Sequence, residues 1–208
     1  MATFRAILNE VRAHPAPLLP PGIARSEELT AKIADLQLHP TLEAGLHLLN
    51  LDLPSAHFLC RHMQSAPAFE GMYLHGILHR IEGDYDNARA WYSDVKESEV
   101  YQKVWGKDGK TFKEVKEVKE DKTNKDLDAG QKFLNKVQAF KESEGKEGSE
   151  QDLLSESKRE FDLVMEYCEK KFGTEKMVDA SSAWVKNSDE IRQMGEDQVS
   201  GDSGQRKF

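Results

Sequence analysis

The sequence predicts an all-α protein, built of short helical hairpins stacked on one another, capped by C-terminal helices, and carrying a charged insertion and a disordered tail. Three observations predict this. Apolar residues recur at helical spacing, as in Leu74, Ile77, Leu78 and Ile81. Capping residues, glycines and prolines divide the apolar runs into short segments, as Gly83-Asp84 does between two of them. One block of sequence also appears twice at a constant offset of 32, which carries Leu42 to Leu74, Leu46 to Leu78, Leu49 to Ile81 and Ala56 to Ala88.

The elements follow in order. Residues 1–25 hold Pro15, Pro17, Pro20 and Pro21 and read as a Pro-rich arm. Ser26 is an N-cap with Glu27 and Glu28 in the first turn; the helix it opens shows Leu29, Ile33 and Leu36 on one face and ends near His39, before Pro40. Two hairpins come next within a core of residues 26–105. The first pairs a helix over 42–50 with one starting at 52 or 53 and running through 64. The second pairs 69–82 with 85–95, divided by Gly83-Asp84, a helix stop followed by an N-cap. Residues 106–126 offer little apolar surface around Lys113-Glu114-Val115-Lys116-Glu117-Val118-Lys119-Glu120 and read as a solvated insertion or linker. Over 127–194, Phe133, Leu134, Val137 and Phe140, then Leu154, Phe161, Val164, Cys168 and Phe172, mark two helices that pack on the core, with a short last helix at 176–185. Residues 195–208 read as a disordered tail.

Composition narrows the function classes. The chain has 208 residues, enough for one domain with an appended part. Its net charge of −8, without a compact basic stripe, opposes binding to nucleic acid or anionic lipid. No apolar run is long enough for a signal peptide or membrane span, and Cys60 and Cys168 lack metal or redox spacing, so a cytoplasmic or nuclear location is expected. Charge is unevenly spread: residues 1–95 hold seven of the 29 Lys and Arg and eleven of the 37 Asp and Glu, yet all seven histidines. The chemistry is therefore sought in the first half.

The second copy of the block, His75-Gly76 through Gly83-Asp84-Tyr85-Asp86-Asn87-Ala88 to Tyr92, resembles a tetratricopeptide repeat. The first copy places Ala44, Asp52, Leu53, Ala56 and Cys60 correspondingly. The likeness covers about 60 residues, with a period of 32 rather than the family's 34 and without its closing proline. The stretch Leu74–Asp84 with Asn87-Ala88 is also similar to an uncharacterised group of fungal and bacterial proteins, a likeness that implies no activity. The repeat resemblance implies stacked hairpins with a groove for a protein or peptide partner, in which Arg80, Arg89, Trp91 and Tyr92 are the candidate contacts.

A second reading comes from the residues themselves. Beside the stripe of Leu74, Ile77, Leu78 and Ile81, a 100° advance per residue aligns His75, His79 and Glu82; in the first copy Glu43, His47 and Asn50 take those places. Stacked in register, the two faces would gather Glu43, His47, His75 and His79 around a divalent metal, zinc or iron, in a small metal-binding protein or metal-dependent enzyme, with Glu82 and Asn50 as supporting residues and Glu82 as orienter or general base. Polar residues beside an apolar stripe also serve as boundary residues bonded to neighbouring carboxylates, so both readings stay open. No metalloprotease motif, cysteine pair or phosphate loop is present. His57 and His62, five apart, share no face and read as surface or packing residues.

Overall fold

The computed structural model describes residues 2–20, 24–106, 127–186 and 189. The predicted insertion, beyond its first residue, and the predicted tail lie outside the described residues. Helices begin where a short polar side chain can accept a hydrogen bond from the first turn. Thr3 opens α1 (Phe4–Arg12), Ser26 opens α2 (Glu27–Asp35), and His39, followed by Pro40, opens α3 (Pro40–Leu49). Asp52 caps α4 (Leu53–Arg61), α5 (Phe69–Glu82) starts without a side-chain cap, and Asp84 caps α6 (Tyr85–Asp94). Ser98, Asp128 and Ser149 open α7 (Glu99–Trp105), α8 (Ala129–Glu142) and α9 (Glu150–Phe172). Every described regular element is helical, so the chain is all-α.

Two expectations are corrected. The Pro-rich arm contains α1, whose Phe4, Ile7, Leu8 and Val11 recur at i, i+3, i+4 and i+7 and are all buried. Its proline stretch is held as well, because the Pro17 carbonyl accepts a 2.6 Å hydrogen bond from the Ser157 hydroxyl on α9. The helix expected over 176–185 is only a 3-10 turn, Ser181–Ala183, within an extended strap. That strap is bonded to the first hairpin and its flanks: Met177 N donates to Gln37 O at 2.7 Å and Val185 N to His62 O at 2.9 Å.

The order of packing follows the order of the chain. Helices α3 and α4 form one hairpin and α5 and α6 the next, while α1, α3, α5 and α7 pack each against its successor in that series. Helix α2 packs on α3 and α4 on α5. The sequence repeat recurs in the bonding, since Asp52 N donates to His47 O and Asp84 N to His79 O, each at 2.9 Å. Gly83 ends α5 at φ 85°, a left-handed conformation that a side chain disfavours. Gly76 lets α6 approach closely, because a Cβ there would lie 2.8 Å from the Tyr92 ring.

The long α9 lies across this series. It meets α1 through Arg12–Asp162 at 2.9 Å, α3 through Met165 beside Gly45, and α7 through Arg159, which donates to Val104 O at 2.9 Å. Its contact with the second hairpin includes a fully buried polar cluster. Tyr73 and Tyr92 donate to Glu160 Oε1 at 2.8 and 2.6 Å, and Arg80 pairs with Glu160 Oε2 at 2.7 Å. Trp105 Nε1 donates to the Tyr73 hydroxyl at 2.6 Å. Burial and the Glu160 charge push both tyrosines well above their ordinary pKa, so they remain hydrogen-bond donors. Among the described residues no helix is long and apolar enough to cross a membrane.

Candidate functional site

Helix α5 is buried nearly all round, and its two histidines with it: His75 is 3% exposed and His79 8%. One turn apart, their rings stack with centroids 4.8 Å apart and planes 20° from parallel. The Trp91 ring of α6 stacks on His75 at 4.6 Å, which the close approach at Gly76 permits. From the other side, α4 brings His57 edge-on to both imidazoles, with centroids 5.0 Å from His75 and 5.6 Å from His79.

Each of His57, His75 and His79 thereby offers one ring nitrogen, and the three nitrogens lie within 4.8 Å of one another. Three nitrogens around a tetrahedral zinc stand roughly 3.4 Å apart, given metal–nitrogen distances of about 2.0–2.1 Å. Closing that gap requires the rings to turn, since His75 and His79 stand only 20° from parallel. Glu82 Oε2 stands 3.1 Å from His79 Nδ1 and Asp84 Oδ2 3.9 Å from it. The approach of Glu82 lies outside hydrogen-bond angles, so it is a short polar contact that a small turn of either group would make a bond. With Nδ1 facing carboxylates, Nε2 is the His79 nitrogen left for a ligand.

Electrostatics suit a neutral His57. Burial lowers the His57 pKa, the Glu82 charge acts against this, and Arg61 and His79 lower it further. A deprotonated imidazole is the form that ligates metal.

The set differs from the one expected. His75 and His79 belong to it, but Glu43 and His47 do not. His47, also buried, lies between Asp52 Oδ2 at 3.1 Å from Nδ1 and Glu43 Oε1 at 3.8 Å from Nε2. Asn50 joins α3 to α2, donating to Ser26 O at 2.9 Å and Thr30 Oγ1 at 3.2 Å. The candidate groove residues are likewise spoken for: Arg80 and Tyr92 bind Glu160, Trp91 covers His75, and Arg89 binds Asp86, Asn135 and Gln138. Arg80, Trp91 and Tyr92 are buried, so they line no open groove.

The residue missed is His57. Its signal was present, because Leu53, Ala56, His57 and Cys60 fall at i, i+3, i+4 and i+7 and place His57 on the edge of the packed face of α4. His62, by contrast, contacts the Phe58 carbonyl at 2.8 Å and the Trp184 ring at 4.9 Å. Both cysteines are buried, and burial raises their pKa, leaving inert thiols. Comparison with protein families, curated proteins and solved structures finds no match for this chain.

Proposed function

We propose that this is a metal-binding protein whose donors are His57, His75 and His79. The observation that carries the reading is the convergence of three ring nitrogens from two different hairpins. Neutral imidazoles suit zinc among the first-row metals. With Glu43 outside the set, the mixed carboxylate and imidazole sphere that would favour iron loses its support. Glu82, once turned into a hydrogen bond with His79 Nδ1, would fix the tautomer and ring orientation of that ligand.

The test is calorimetric titration of chelator-treated protein with zinc. One equivalent binds, and His57→Ala weakens binding by at least about 10–100-fold. Glu43→Gln binds as the parent does. A parent protein that takes up no zinc, or a His57→Ala variant that binds it equally well, rejects the proposal. His57 is the informative position because it is only half-buried, so its loss perturbs packing less than loss of His75.

Recognition of a protein or peptide partner would have Phe58 as its apolar contact, 63% exposed on α4 beside His57, a single side chain and not a patch. A partner that binds the parent and Phe58→Ser protein with equal affinity would refute this second reading.

A further inference from the structure

Resting on the tri-histidine reading, we infer that the centre is open: a metal held by His57, His75 and His79 keeps one exchangeable position, on the His57 side, filled by water and displaced by small monodentate anions. Structural zinc sites are closed by four protein donors, whereas sites with three donors carry a solvent molecule in the fourth place. Among the described residues the convergent set has three members and no thiol or carboxylate joins them. The nearest carboxylates, Glu82 and Asp84, face His79 Nδ1 and so stand behind a ligand, not across the metal from it.

The surroundings give the open position a direction. His75 is closed on both ring faces, by His79 and by Trp91, and both α5 imidazoles are buried. His57 alone of the three is partly exposed, so solvent reaches the centre past α4. Charge selects the ligand class. A divalent cation with three neutral imidazoles is positive, and Glu82, turned toward His79, offsets only part of that charge. The stacked rings leave little width beside the metal, which favours water, hydroxide and small linear anions over bulky ones. Such a centre belongs with those that activate water, not with those that only clamp a fold.

Cobalt(II) replaces zinc in such sites and reports its ligands through visible absorption bands. The full chain loaded with cobalt shows these bands, sodium azide shifts them to a saturating limit, and dialysis against azide-free buffer restores them. Bands that appear with cobalt but do not respond to azide at any concentration mean a closed centre, and overturn this inference while leaving the metal reading standing. If cobalt yields no bands, in the parent or in Glu43→Gln, the metal reading itself fails and the open position with it.

Discussion

His47 and His79 occupy the same place in the two copies of the repeat, yet they live in different chemistry. Each carbonyl accepts from the aspartate that caps the next helix, so the backbone slot is common. His47 is enclosed by carboxylates, Asp52 and Glu43, and α2 closes its side through Thr30, which donates to Asp52 at 2.9 Å. His79 instead faces two other imidazoles and keeps its carboxylates behind it. The cause is local in the sequence. Where His79 has His75 and His57 beside it, the positions 32 earlier hold Glu43 and Arg25. Arg25 turns away to bind the Pro15 carbonyl at 2.6 Å. A repeated backbone therefore carries the shape of a site, while its chemistry rests on two side chains that need not repeat.

The largest effect that separates the copies is expected at α9, which grips only the second hairpin through buried charge. Glu160→Gln should cost about 3–5 kcal/mol, because it leaves Arg80 buried without its counter-ion; equilibrium urea unfolding checks this. Next, zinc at about one hundred times its dissociation constant should stabilise the fold by about 2.7 kcal/mol, raising Tm by roughly 5–10 °C. In a thermal scan that rise should vanish in His57→Ala and persist in Glu43→Gln; the reverse pattern would move the site to Glu43 and His47. Glu82→Gln should weaken zinc roughly 10–100-fold by calorimetry without abolishing it.

Smaller differences sharpen the contrast. Removing either cap, by Asp52→Ala or Asp84→Ala, should cost about 1 kcal/mol. Asp52→Ala should cost more, because Asp52 also accepts from Thr30; equal shifts in the urea midpoint would contradict that. Last, the first hairpin should answer to protons. Burial, and then the Lys171 charge, lowers the His39 pKa from 6.5 to about 4. Between those values the unfolded chain binds a proton that the folded one refuses, so stability is intact above pH 6.5 and falls as the pH drops toward 4. His39→Asn supplies a capping oxygen in place of Nδ1 and removes the titration, so its Tm relative to the parent should rise over that range and stay constant above it.

Much of the scaffold was legible in the sequence because caps and apolar periodicity are local signals. Helix α5 has the bounds that its apolar stripe and Gly83 predict, and Ser26 caps its helix as expected. Local signals also hid α1, where four nearby prolines outweighed an apolar stripe of only four residues. The site was half legible. Spacing alone pairs His75 with His79, but the third imidazole arrives from a neighbouring hairpin, and no other residue of its helix joins the set. Arg80 and Tyr92 misled for the same reason: their partner, Glu160, is a distant residue that periodicity cannot nominate.

The crossing of α9 alters what kind of object this molecule is. Tandem hairpins normally share stability between neighbours, so that units can fray or be trimmed one at a time. A beam fastened to α1, α3, α5 and α7 ties those units together at once. Trimming the chain after residue 106 would strand the Arg80 charge and bare an apolar flank along every hairpin, so the domain should melt in one transition and be indivisible.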